Sequence, residues 1–96
     1  MIQFELYGIV FEYDELKGKT NWAKHKVLFE DAAYVFFDPC QFVGYNWTYD
    51  NEDRWKIMGK TKGPVVVVIY SERKTKYGKK VIRLISARKA TKRERK

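Results

Sequence analysis

Residues 54–87 read RWKIMGKTKGPVVVVIYSERKTKYGKKVIRLISA and contain three consecutive strand patterns. Over residues 54–60, polar and apolar side chains alternate, which is typical of a strand with one buried face. Residues 65–70 are a continuous apolar and mostly β-branched run, which predicts a central strand covered on both faces. Residues 81–87 form the third pattern. Turn-forming residues separate the three patterns, so we expect a run of antiparallel strands.

Two more strands and a helix are predicted on the N-terminal side of this stretch. Residues 2–13 predict an opening strand, because apolar and polar residues alternate at its start. Residues 42–49 are rich in aromatic residues and predict another strand. Asp14 suits the N-cap of a helix that reaches about Lys24, since its carboxylate can accept from the free N–H groups of the first turn. This helix contains three poor helix formers: Gly18, Thr20 and Asn21.

Residues 29–38 predict a second helix. Four apolar side chains share one face at the spacing i, i+3, i+4, i+7: Phe29, Ala32, Ala33 and Phe36. Pro39 ends the helix, because proline disfavours a helical residue before it. From Arg88 onward, the basic sequence RKATKRERK predicts the start of a further short helix.

Together these patterns predict an α+β fold with a single domain over residues 1–96. The two helices of the N-terminal half are expected to pack on one face of a mainly antiparallel sheet of about four to five strands. A short basic helix is expected at the C-terminus. The sequence contains no internal repeat and no long linker rich in Pro, Gly or Ser, so a second domain is not expected.

Charge is distributed unevenly along the chain. The 96 residues carry 20 Lys and Arg against 12 Asp and Glu, a net charge of +8. Residues 1–48 have a net charge of −3, from four Lys and seven acidic residues, whereas residues 49–96 have +11, from sixteen basic and five acidic residues. A basic half is typical of a nucleic-acid-binding protein. The alternatives are a solvated surface or a basic face that receives an acidic partner protein.

Metal and cofactor sites are not expected from the composition. His25 and Cys40 are single residues of their types, which leaves no internal disulfide framework and too few ligands for zinc. The sequence has no GxGxxG motif, P-loop or nucleophile elbow. No apolar run approaches the roughly 18 residues of a membrane span, and the N-terminus lacks the basic start of a secretory signal. We therefore expect a cytoplasmic protein without membrane contact.

Basic side chains are expected on the sheet face opposite the helices. The apolar positions of the predicted strands should face the helices, so the residues between them should point to the open side. By this parity Arg54, Lys56 and Arg83 share the open face, and Arg73 and Arg88 lie at the ends of adjacent strands. Arginine stays charged and offers a planar set of donors, which suits a phosphate. The alternative is a set of ordinary surface arginines.

Five further residues have two interpretations each. Trp22 and Trp47, like the two aromatic residues named below, could stack on RNA bases or lie in the core. His25 has the one side chain in this sequence that exchanges protons near neutral pH without environmental tuning, but a single histidine is more often a helix-end or packing residue. Trp55 and Tyr70 could stack on RNA bases. As strand residues beside Ile57 and Val68, they are equally suited to the core.

The chain resembles the BrnT family of toxins from bacterial type II toxin–antitoxin systems. Six matching segments occur in the family's order, cover most of the chain, and include IRLISAR as the most specific part. They are FEYDELK (11–17), NWAKH (21–25), FEDAAYVFFD (29–38), EDRWKIMG (52–59), VVVIYSER (66–73) and IRLISARKATKRE (82–94).

This resemblance implies a RelE-like fold and a metal-independent ribonuclease that is neutralised by an antitoxin with its own DNA-binding domain. The matching polar positions are Lys24, His25, Glu52, Arg54, Trp55, Arg73, Arg83, Ser86 and Arg88. The chain departs from the family pattern at Lys26, where the family usually has Gly after the Lys-His pair. It also departs in its last segment, which ends at Lys96 where the family usually continues.

The expected function is therefore an endoribonuclease toxin that cleaves RNA through attack of the 2′-hydroxyl and inhibits translation and growth. Its partners would be RNA, including ribosome-associated mRNA, a cognate antitoxin, and operator DNA through the antitoxin complex. The expected catalytic residues are His25, Glu52, Arg54, Arg73 and Arg83. The expected RNA-binding residues are Lys24, Trp55, Lys56, Tyr70 and Arg88. The alternatives are a non-catalytic RNA- or ribosome-binding module, a protein-interaction domain for an acidic antitoxin segment, and a degenerate, inactive toxin.

Overall fold

A computed structural model describes residues 1–95 of the chain, and these residues form an α+β fold. Its strands are β1 (Ile2–Leu6), β2 (Ile9–Tyr13), β3 (Phe42–Tyr49), β4 (Glu52–Lys60), β5 (Val65–Lys74) and β6 (Lys80–Lys89). Its helices are α1 (Glu15–His25), α2 (Phe29–Ala32) and a 3-10 helix (Ala33–Phe37) that continues α2.

Within residues 1–95 the strands form one six-stranded sheet in the order β1-β2-β6-β5-β4-β3. Strands β2 and β6 pair in parallel, and the other neighbours are antiparallel. The run at 65–70 lies in β5, next to β6 in the middle of the sheet, which confirms the prediction of a central strand. The mainly antiparallel α+β class is also confirmed, whereas the more specific RelE-like packing stays a prediction.

The single strand predicted over residues 2–13 is a hairpin of two strands, β1 and β2. The predicted count of about four to five strands was therefore too low. The turn residues Tyr7 and Gly8 both have positive φ, 50° and 84°, as the tight turns of β-hairpins require. Tyrosine is an uncommon residue in this conformation, so the sequence does not mark the turn. The Tyr7 ring packs edge-on against Phe37, with 5.0 Å between the ring centroids.

Helix α1 begins at the predicted cap, and its poor helix formers have packing roles. The Asp14 carboxylate accepts a hydrogen bond of 3.1 Å from the Lys17 backbone N–H. A Cβ atom at Gly18 would lie 2.7 Å from the Tyr13 ring. The buried Asn21 side chain donates to the Ala87 carbonyl at 2.8 Å and accepts from the Ala87 N–H at 3.0 Å. Asn21 therefore completes the β6 ladder where no strand from β2 reaches it.

The second helix has the predicted buried face but not a uniform helical type. Phe29, Ala32 and Ala33 are buried, and Phe36 packs edge-on against Tyr70 with 4.8 Å between the ring centroids. Only residues 29–32 are α-helical, and the following turn is a 3-10 helix. Among residues 1–95, the core lies between this helical segment and the sheet and contains no residue of α1, whereas α1 lies against β6 through Asn21.

The predicted C-terminal helix is wrong for the residues that the structure describes. Strand β6 extends to Lys89, because Arg88 and Lys89 pair with Val67 and Val66 of β5. After it, Thr91 and Glu94 form a single turn in which each side chain accepts a hydrogen bond from the other residue's backbone N–H. The prediction also covered Lys96, which lies outside the described residues. No helix within residues 1–95 is long and apolar enough to cross a membrane.

Candidate nucleic-acid interface

The sheet face that points away from the helices, called the open face below, carries the predicted basic side chains. The strand registers place them side by side: Lys56 is opposite Ile69, Ile69 is opposite Ser86, and Ser71 is opposite Arg83. Arg54, Lys56 and Arg83 therefore share the open face, as their parity predicts. Arg73 points to the same side two residues after Ser71, and Arg88 does so opposite Val67, because the register shift between Ile69 and Tyr70 reverses the parity of β6. The two arginines lie at opposite ends of the β5–β6 pair.

A buried carboxylate fixes two of these arginines at the centre of the sheet. Glu12 of β2 is 1% exposed. Arg73 donates to it through Nε at 2.8 Å and Nη2 at 2.7 Å, and Arg83 donates through Nε at 3.0 Å. Gln3 of β1 also donates to Glu12, at 3.1 Å. We call this set of residues the Glu12 cluster.

The Glu12 cluster keeps a positive charge that is available to a ligand. The pKa of Glu12 is lowered to about 2, chiefly by the hydrogen bonds from Arg73, although burial acts in the opposite direction. The same carboxylate raises the pKa of Arg73. Two guanidinium groups therefore face one carboxylate, and their side chains are still 40% and 38% exposed. Preorganised charged donors of this kind suit the charge that develops on a reacting phosphate.

Arg54 lies on the same face, closer to the β3 edge of the sheet. Its guanidinium carbon is 4.8 Å from the centroid of the Tyr49 ring, and its Nη2 is 3.7 Å from a Glu52 oxygen. The Nε atom of Arg54 is buried and has no hydrogen-bond partner among residues 1–95. An unpaired buried donor costs free energy, and such groups are often found at functional sites.

The predicted proton-transfer residues lie apart from each other. Glu52 begins β4 and lies beside Arg54. His25 ends α1 and lines a groove of about 270 Å³ between α1 and β6, together with Lys24 and Ser86. Ser86, Ile69 and Lys56 lie in one row across the sheet. Glu52 is four residues from Lys56 along β4, so it lies roughly 13 Å from this row at 3.3 Å per residue. The structure therefore groups Glu52 with the arginines and His25 with Lys24.

The structure does not place Trp55 and Tyr70 on the open face. They are opposite each other in β4 and β5, on the side covered by the helices. Tyr70 is 5% exposed and its ring packs against Phe36, so it offers no free ring face to a base. Trp55 is partly buried against the same core. The core interpretation of these two residues is the one that the geometry supports.

Arg88 lies on the open face, but its guanidinium is already engaged. Two of its nitrogens donate to the two Glu94 oxygens at 2.8 and 2.9 Å, and this ion pair raises the pKa of Arg88. Lys56, by contrast, is exposed. Of the two, Lys56 is the more accessible cation for an RNA backbone.

Sequence reasoning missed Glu12, the residue that organises the site. Its one sequence signal is an acidic residue between Phe11 and Tyr13 in an otherwise apolar strand pattern, since a buried acid needs a partner. Phe42 and Tyr49 of β3 were also missed as candidates for the open face. Within residues 1–95, no group of three or more His, Cys, Asp or Glu side chains is arranged to hold a metal ion.

A small α+β domain with a net charge of +8 and anchored arginines on an open sheet face belongs to the class of phosphate- and nucleic-acid-directed proteins. The family model for "Ribonuclease toxin, BrnT, of type II toxin-antitoxin system" matches residues 13–94, and the chain belongs to this family. This confirms the resemblance seen in the sequence. The family implies RNA as substrate and an antitoxin as partner. No curated protein matches the sequence.

Proposed function

We propose that this ribonuclease toxin is a metal-independent endoribonuclease whose cleavage site is the open face around Arg54 and the Glu12 cluster. The observation that carries the proposal is the pair of arginines, Arg73 and Arg83, held side by side by one buried carboxylate. In the reaction, the RNA 2′-oxygen attacks the adjacent phosphorus, and the bond from phosphorus to the 5′-oxygen breaks. The products are a 2′,3′-cyclic phosphate and a 5′-hydroxyl.

Most steps of this reaction have a candidate residue. Arg73 and Arg83 would stabilise the negative charge on the pentacovalent phosphorane, with Arg54 beside them. Glu52 lies 3.7 Å from Arg54 and is the candidate to take the proton from the 2′-hydroxyl. Because one phosphate cannot reach both residues, His25 in the α1–β6 groove is the alternative proton-transfer residue, and with Glu52 as the base the leaving 5′-oxygen takes its proton from water. Lys24 and Lys56 would hold the RNA backbone.

Cleavage of cellular RNA in the presence of EDTA tests this proposal. The wild type should produce 2′,3′-cyclic phosphate ends, and Arg83→Ala should lower the rate by roughly 100-fold or more, as for other transition-state donors. Arg93→Ala is the matched control, because Arg93 is an exposed arginine of the C-terminal turn. Equal rates for the Arg83→Ala protein and the wild type would contradict the phosphate role.

A non-catalytic RNA- or ribosome-binding module is the second candidate, because the structure holds His25 and Glu52 apart. The two candidates differ in one measurement. Folded wild-type protein that binds RNA but leaves it intact, with and without ribosomes, would favour the binding module. Cleavage only when ribosomes are present would keep the enzyme and add ribosome dependence.

The antitoxin is proposed to inhibit by covering the open face, whose cations come from the basic half of the sequence, so that RNA has no access to the arginines. Through the DNA-binding domain of the antitoxin, the complex would then also repress its own operon. The purified complex should cleave RNA far more slowly than the free toxin. If the complex cleaved RNA as fast as the free toxin, this steric model would be wrong.

A further inference from the structure

Strand β3 exposes more large apolar side chains than any other element within residues 1–95. Phe42 is 67% exposed, Tyr49 60% and Trp47 46%. The strand lies at one edge of the sheet and pairs only with β4. Exposed apolar clusters of this kind mark binding surfaces, and the function proposed above does not use them.

A β-bulge places three of these aromatic rings on the open face. The registers put Phe42 opposite Met58, Trp47 opposite Arg54 and Tyr49 opposite Glu52, with a shift between Tyr45 and Trp47. Five positions separate Phe42 from Trp47, so in a regular strand they would point to opposite sides. The extra residue at the bulge reverses this parity. Phe42, Trp47 and Tyr49 therefore all face the side that carries the arginines.

The neighbouring strand supplies cations directly beside these rings. Arg54 is opposite Trp47 and its guanidinium lies over the Tyr49 ring, at 4.8 Å from the centroid. Lys56 is exposed two residues further along β4. Exposed aromatic rings next to a row of cations are the arrangement that binds bases and phosphates of a single strand at the same time.

We propose that Phe42, Trp47 and Tyr49 form a stacking platform for unpaired RNA bases, with the attached phosphates on Arg54 and Lys56. This inference rests on the proposed ribonuclease function and deepens it by naming single-stranded RNA as the substrate. Trp47 of β3 lies three strand spacings from Arg83 of β6, about 14 Å at about 4.8 Å each. The stacked bases therefore belong to nucleotides that flank the cleaved one, and the platform sets sequence or context preference.

The spacing of the rings favours single strands over duplexes. Trp47 and Tyr49 are two residues apart, or about 6.7 Å along the strand. This is roughly twice the 3.4 Å rise between bases of one strand in a duplex. Successive bases have to be splayed apart to stack on both rings, which an unpaired strand allows and a duplex does not.

Binding of a 12-nucleotide single-stranded RNA with 2′-O-methyl groups tests the platform. This RNA lacks the attacking hydroxyl, so binding is measured without cleavage. Trp47→Ala should weaken the affinity about tenfold, as for loss of one stacked base. The matched control is Trp22→Ala, since Trp22 of α1 has the same 46% exposure as Trp47 and should change the affinity less than twofold. Tyr49→Phe should bind like the wild type, and the corresponding RNA duplex should bind more weakly.

Three results would contradict the stacking platform. They differ in whether the proposed ribonuclease function would also fail. If Trp47→Ala bound RNA like the wild type while Arg54→Ala did not, the platform would be wrong and the proposed function would stand. If Trp47→Ala kept its RNA affinity but escaped inhibition by the antitoxin, β3 would be a protein-binding edge. If the wild type neither bound nor cleaved RNA, the proposed function would fail as well.

Discussion

Two glutamate–arginine clusters lie on the open face, and they differ in the position of the carboxylate. Glu12 is 1% exposed at the centre of the sheet, whereas the Glu94 side chain is 27% exposed in the C-terminal turn. The pKa of each is lowered to about 2, chiefly by hydrogen bonds from Arg73 in one case and Arg88 in the other. The two clusters therefore have similar hydrogen bonds but different access to water.

Because of this difference in exposure, only the Glu12 cluster is suited to position a catalytic group. Water can replace the partner of an exposed ion pair, so such pairs contribute little to stability. A buried carboxylate has no such substitute, and removal of one partner leaves the others uncompensated. The Glu12 cluster should therefore control both stability and the geometry of Arg83, whereas the Arg88–Glu94 pair should control neither.

The largest expected effect is the loss of stability in Glu12→Gln. The neutral amide cannot compensate two guanidinium groups, and the lowered pKa corresponds to about 2–3 kcal/mol of unfolding free energy once the partial exposure of both arginines is allowed for. Urea denaturation should show this decrease at pH 7. Glu94→Gln is the control and should leave the urea midpoint unchanged. Equal shifts in the two variants would remove the distinction between the clusters.

A second prediction concerns the pH range over which Glu12 contributes. Its pKa is about 2 in the folded chain, against 4.5 as the ordinary value. Because the folded pKa is the lower one, the stabilisation is present above about pH 4.5 and is lost as the pH falls toward 2. The stability difference between the wild type and Glu12→Gln should therefore close over this range. A difference that stayed constant down to pH 2 would show that the carboxylate charge is not its cause.

The sequence predicted much of this fold because the sheet centre is encoded locally. The apolar run at 65–70 and the alternation at 54–60 each specify a strand without reference to the rest of the chain. The hairpin turn at Tyr7 has a weaker local signal, because tyrosine rarely adopts positive φ and its ring contact with Phe37 joins distant parts of the chain. The C-terminal helix was wrong because pairing with β5 extends β6 into the basic segment.

The site was predictable in part for the same reason. Strand parity is local, so it places Arg54, Lys56 and Arg83 on one face correctly. The role of Glu12 depends on the parallel pairing of β2 with β6, between residues 71 positions apart, which no local pattern reveals. Parity alone also leaves both interpretations of Tyr70 open, and only its contact with Phe36 decides between them.

Glu12 should also affect catalysis, separately from stability. Glu12→Gln should lower kcat for RNA cleavage by roughly tenfold or more, because small misplacements of a catalytic group are costly. Its affinity for 2′-O-methylated RNA should not weaken, since the open face gains one unit of positive charge. This split identifies Glu12 as a positioning residue. Unchanged kcat in the folded variant would limit Glu12 to a structural role.

The smallest expected effect lies away from the sheet centre, at the end of α1. Lys26 caps the helix in the left-handed conformation, with φ 58° and ψ 37°, where glycine is preferred. Lys26→Gly removes a backbone cost of about 1–2 kcal/mol but also loses the cation–π contact of Nζ with Trp22 at 5.5 Å, which contributes about 0.5–1 kcal/mol. We expect a net stabilisation of about 0.5 kcal/mol by urea denaturation.

Lys26→Ala loses the contact and keeps the backbone cost, so it should be less stable than Lys26→Gly by about 1 kcal/mol. If the two variants were equally stable, the left-handed conformation would carry no cost at this position.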